Sequence, residues 1–218
     1  MVKLHIDPQA RTIELEAKVV TYGNASSPEM TRQIAEEIEE MWNEPMVNVA
    51  LEGRQYGLVF RIDHLWKPDI TPEEIVANTD PRLNFYRIEE YAQGNISFVD
   101  GLGSNTGYFK LDNLYAGSTT AAHEFGHGLG LDHPDVLDIR GLGRPGIMYP
   151  RGTWVDPAYQ YDPGAAPGAP GGTMHPRYRK VLPADIDNLG LEGLLARQKA
   201  PYLGGFTSVY HRDHAGMA

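Results

Sequence analysis

The chain contains no cysteine. That absence excludes disulfides, thiolate nucleophiles and thiolate metal ligands together, so any bound metal has to be held by nitrogen and oxygen. It does not fix a compartment, because cysteine-free chains persist in oxidising and reducing surroundings alike. Also lacking is any run near the ~20 apolar residues that a membrane helix needs, so no membrane span is expected. The opening MVKLHIDPQARTIELEAKVV has no apolar h-region and carries no secretory signal. A soluble protein is expected, either a mature secreted form or a leaderless one. Basic residues are in deficit: the formal net charge is −10 over 218 residues. Nucleic-acid binding needs a surplus of Lys and Arg on one face, so no such partner is expected. Hydrophobic residues at 41% and charged residues at 22% suffice for one sizeable core, or two small lobes around a cleft.

What is present reads as an α+β pattern. Residues 13–19 alternate, with Ile13, Leu15, Ala17 and Val19 on one side and Glu14, Glu16 and Lys18 on the other, which predicts a strand with one buried face. Ser27 and Pro28 then predict a helix start, followed by an apolar stripe of Met30, Ile34, Ile38 and Met41 suited to lying on a sheet. VNVAL and YGLVFRIDHLW, joined by EGRQ, predict two strands and a turn, and FYRIEEYA, ISFVDG and GYFKLD predict more. Arg151 to Lys180 is dense in Gly, Pro and Tyr without periodicity, and a loop of this length is either functional or a disordered insertion. LPADIDNLGLEGLLARQ predicts a helix from Pro183, weakened by Gly190 and Gly193, and the tail after Ala200 either docks or frays. No internal repeat is visible.

Three of the eight histidines, His123, His127 and His133, lie within eleven residues of AAHEFGHGLGLDHP. In a helix capped by Ser118, residues four apart share a face, so His123 and His127 can converge on one ion. Catalytic zinc takes three protein ligands and keeps one position for water. Gly130 can adopt a left-handed conformation at little steric cost, which lets the chain turn back and bring His133 up as the third ligand. Glu124 points about 100° away from His123 around the helix, so it suits contact with the zinc-activated water better than ligation. The chemistry that follows is attack of water on a polarised carbonyl, with peptide hydrolysis the natural case. His5, His64, His175, His211 and His214 have no partner at ligand spacing and read as surface or hydrogen-bonded residues.

HEFGHGLGLDH resembles the HExxHxxGxxH signature of the metzincin zinc endopeptidases, and GIMYP, Gly146 to Pro150, resembles their Met-turn with Met148 in place. AAHEFGHGLGLDH and IMYP look most like the matrixin branch, the matrix metalloproteinases. PADIDNLGLEGL resembles the helix that closes that catalytic domain, with Asp185 where the family uses a structural acid. The strong resemblance covers about Thr119 to Pro150. Pro134 departs towards serralysins, Pro150 stands where serralysins and astacins place a tyrosine ligand, and Tyr149 is one residue early for that role.

The resemblance implies a single metalloprotease catalytic domain over residues 1–218. An upper lobe, about 1–130, would hold a mixed twisted sheet, a long backing helix and the active-site helix. A smaller irregular lower lobe, about 131–218, would carry loop 151–180 and a C-terminal helix. It further implies one catalytic Zn2+ on His123, His127 and His133, Glu124 as general base, Met148 beneath the metal and Gly130 as hinge, with calcium left open. Protein or peptide substrates would lie extended along an edge strand, with ISFVDG as candidate, while Arg151–Lys180 shapes the primed-side pocket. The cysteine switch of matrixins cannot exist here, and Asp7 is a candidate N-terminal cap on the metal. A monomer is expected. Competing functions are a catalytically silent metal-binding module and a zinc hydrolase of a non-peptide amide.

Overall fold

The computed structural model describes residues 1–197 and 201–217. In chain order the elements are β1 (Val2–Asp7), β2 (Thr12–Tyr22), α1 (Pro28–Asn43), β3 (Asn48–Leu51), β4 (Arg54–Trp66), α2 (Pro72–Val76), β5 (Leu83–Glu89), β6 (Phe98–Val99), β7 (Thr106–Lys110), α3 (Thr120–Gly128), α4 (Pro183–Asp187), α5 (Leu191–Arg197) and β8 (Tyr202–Leu203). Together they make an α+β fold on one mixed sheet. Its order is β3-β4-β2-β5-β7-β6, with β1 paired to β2 and β8 paired to β1. β2 is the centre: it runs parallel to β4 and β5 and antiparallel to β1, which shares with β5 the same side of the strand. At the other end, among the described residues, β6 pairs antiparallel with β7 alone and is the edge of the sheet.

The alternation of β2 appears as expected, with Ile13, Leu15, Ala17 and Val19 buried. The strand runs on to Tyr22 and its end is covered on both faces, because Val20 and Tyr22 pack into a second cluster with Ile70, Ile75 and Phe85. Ser27 caps α1 by accepting a hydrogen bond from the Met30 amide, and Pro28 opens the helix. The buried face of α1 is Thr31, Ile34, Ala35, Ile38 and Trp42; Met30 and Met41 sit half-buried at its margins. Trp42 reaches furthest. Its ring packs on Phe60 and Phe125, and its Nε1 donates to the Ala122 carbonyl at 3.1 Å, tying α1 to α3.

Several expectations need correction. The start of the chain, read only for a leader, is strand β1. The helix expected over LPADIDNLGLEGLLARQ is two short helices, broken where Gly190 takes φ +62, and its last residue, Gln198, lies outside the described residues. Loop 151–180 folds around a small cluster of Ile139, Val155 and Met174, with Tyr149 and Tyr159 against it. The tail docks: Leu4 donates to the Pro201 carbonyl, Thr207 to Asn105 Oδ1, and Arg87 to the His211 carbonyl. Residues 201–214 therefore make contacts with β1, β5, Asn105 and β7.

Candidate metal centre

Nearly all of α3 is buried, from Thr120 to Gly126 and again at Gly128, so this short helix is held by its surroundings rather than by its own propensity. Its cap position is Thr119, not Ser118 as expected. Thr119 has φ +58, a left-handed conformation that is uncommon for a β-branched residue. It is fixed there from two sides, donating through Oγ1 to the Pro176 carbonyl and accepting from Arg179 Nε, both at 2.9 Å. Ser118 stands one residue earlier, and its Oγ accepts from the Thr120 amide. The Ala122 amide finds its acceptor on a different element, the Glu37 carboxylate of α1, at 3.3 Å.

The far end of α3 closes as a Schellman turn. Leu131 N donates to Gly126 O and Gly130 N to His127 O, while Gly130 takes φ +100. That turn sends the chain back, and His133 arrives over the face carrying His123 and His127. Its Nε2 lies 3.1 Å from His123 Nε2 and 3.0 Å from His127 Nε2. The second nitrogens are equally constrained: His123 Nδ1 is 2.7 Å from the Ile147 carbonyl, and His127 Nδ1 is 2.7 Å from the Leu131 carbonyl. A carbonyl only accepts, so both Nδ1 atoms carry the proton and both Nε2 lone pairs face the common point. Burial pulls His123 well below the usual histidine range and lowers His127 and His133 as well, which favours the neutral form a ligand needs.

This donor set fits zinc. A tetrahedral ion holding imidazoles at ~2.0–2.1 Å sets their nitrogens about 3.3 Å apart, close to the spacing here. Three lone pairs aimed at one another repel unless a cation lies between them. Glu124 takes no part in that cluster. It is 7% exposed and lines the cleft beside His123 and His133. Burial pushes its carboxyl up to about 8, against the pull of Arg179, the Val99 backbone and Arg151. His123 is buried and His133 exposed, so the site opens on one side only.

Met148 lies directly under α3: a Cβ on Gly126 would come within 2.4 Å of its sulfur. The turn carrying it is pinned by Asp185, buried in α4, whose carboxylate accepts from the Leu182 and Ile147 amides at 2.8 and 3.4 Å. Asp7 is elsewhere: it accepts from Gln9 and Ala10 in the β1–β2 turn, so the expected cap on the metal is not formed by it. His211 bonds Asp100 and His214 stacks on Tyr108, both as part of the docked tail.

Sequence reasoning missed Glu37, Thr120 and Arg179. Glu37 alone left a signal, an acid on the apolar stripe between Ile34 and Ile38. Arg179 sits in PRYRK with nothing to mark it.

No family model matches the chain, and no curated protein does. A solved structure that does match is that of archaemetzincin from Methanopyrus kandleri, at 12% identity and a TM-score of 0.41, spanning 84% of this chain and 97% of that one. At that level of likeness the geometry of the site has to stand alone.

Proposed function

We propose that the chain is a zinc-dependent endopeptidase of the metzincin type, acting as one catalytic unit on protein or peptide substrates. The observation that carries this reading is the convergence of three imidazole Nε2 atoms, two of them oriented through Nδ1 by backbone carbonyls, beside a buried glutamate that does not join them. His123, His127 and His133 would hold the ion. Bound there, zinc supplies a Lewis acid and an acidified water in its open position.

The other steps belong to the chain. Glu124 takes the proton of the attacking water and delivers it to the leaving nitrogen, a role suited to its place in the cleft beside His123 and His133 but outside their cluster. The edge strand β6 leads through Ser97, Ile96 and Asn95 into the cleft lined by His123 and Glu124, so an extended substrate can add to the sheet by main-chain hydrogen bonds. Met148 and Asp185 act at one remove, seating the helix and holding Ile147 O on His123. The matrixin branch rests on AAHEFGHGLGLDH and IMYP alone; no comparison supports it, and the reading stops at the metzincin type.

Glu124→Gln keeps the shape of the side chain and removes the base. The variant is expected to bind one zinc per chain and to lose cleavage of casein by at least about a hundredfold. Undiminished turnover by the zinc-loaded variant would reject the mechanism.

A further inference from the structure

The cleft that holds His123 and Glu124 has a volume of about 280 Å³, and its lining includes two arginines, Arg151 and Arg179. Arg179 is 3% exposed and makes three hydrogen bonds, all to neutral oxygens: Thr119 Oγ1, Tyr149 O and Ser118 O. A guanidinium carries five N–H groups, so two remain without an acceptor. Among the described residues no carboxylate pairs with it directly; Glu124 and Glu37 are near enough to act on its charge but are not bonded to it. A buried cation with no carboxylate bonded to it is costly, and the cost falls when an anion reaches its free N–H groups. Burial lowers Arg179 only to about 10, so it stays charged at neutral pH.

Two further features point the same way. Thr120 lines the pocket, and its Oγ1 is buried with no hydrogen-bond partner at all. Arg151, next along the rim after Pro150, is exposed, bonds only Asn113 Oδ1, at 3.3 Å, among the described residues, and is near enough to Arg179 for the two charges to interact. The one acid on the lining is Glu124, which the proposed hydrolysis already engages. In a chain of net charge −10, this concentration of positive charge is local and enclosed.

We infer that this pocket takes the side-chain carboxylate of an aspartate or glutamate next to the scissile bond, seated between Arg151 and Arg179 with Thr120 Oγ1 donating to it. The inference rests on the zinc endopeptidase reading for the words "scissile bond", but the pocket can be tested without turnover. The probes are two peptide hydroxamates that differ in one side chain beside the metal-binding group, carboxymethyl against isobutyl. Calorimetry on the zinc-loaded protein should find the carboxymethyl compound about tenfold tighter. In Arg151→Ala the ratio should drop below about threefold, whereas damage to the fold would weaken both compounds alike. Equal binding, tighter binding of the isobutyl compound, a ratio unmoved by Arg151→Ala, or binding by neither overturns the inference. Matching fluorogenic peptides, Asp against Leu, are assayed in parallel. A binding preference without cleavage of either peptide leaves the carboxylate pocket standing and sinks the hydrolytic reading alone.

Discussion

At the scale of single residues, the site is governed by what a glycine leaves out. Gly126 lies between His123 and His127, and the space its side chain would fill holds the Met148 sulfur and the edge of the Trp42 ring. Gly126→Ala therefore overpacks the underside of the helix and should cost about 1–3 kcal/mol of stability. It should also weaken zinc binding, because the displaced helix carries two of the three proposed ligands. Thermal unfolding and a competitive zinc titration check both effects; an alanine variant with unchanged affinity would show that Met148 does not set the height of the helix. The histidines and Gly130 were legible in the sequence because their geometry is local. Four residues make a helical turn, and one left-handed glycine makes the return. Thr119 was not, since its left-handed backbone is imposed by Arg179 and Pro176, almost sixty residues later.

At the scale of elements, α3 is placed by its neighbours. Its Ala122 amide is met by Glu37 from the middle of α1, a capping interaction supplied across an interface. Glu37→Ala removes that acceptor and should destabilise by about 1 kcal/mol, as loss of a cap does. Glu37→Gln keeps an acceptor and removes the charge. Burial holds the Glu37 carboxyl above the ordinary 4.5 of a free glutamate. The folded chain thus binds that proton more tightly than the unfolded chain, and the contribution to stability is greatest below 4.5 and declines as pH rises through the folded value. The melting temperature of Glu37→Gln should accordingly match wild type at about pH 4 and exceed it at about pH 7. A gap that opens in the opposite direction would mean that the carboxylate is stabilised, not penalised, where it lies. Strand β2, the β3–β4 hairpin and α1 could be read from alternation, turn residues and caps. The break between α4 and α5 could not: Gly190 weakened the pattern, but its left-handed turn depends on packing.

At the scale of the whole molecule, the candidate centre draws on parts of the chain far apart in sequence. Glu37 and Trp42 come from α1, the imidazoles from α3 and its return, Met148 and Asp185 from the turn and helix beyond, and Arg179 from between them. The sequence announced the three histidines, Met148 and Asp185 and left Trp42 and Arg179 silent, because those two are defined by distance in space and carry no spacing rule. The same holds for the tail, whose contacts with Asn105, Asp100 and Tyr108 span about a hundred residues. Zinc K-edge absorption on the zinc-loaded chain tests the central claim most directly. Three imidazole nitrogens at ~2.0–2.1 Å with one oxygen from solvent is the predicted shell, and His133→Ala should lose one of the three. Two imidazoles or fewer in the intact protein, or a carboxylate in place of the solvent oxygen, would contradict it.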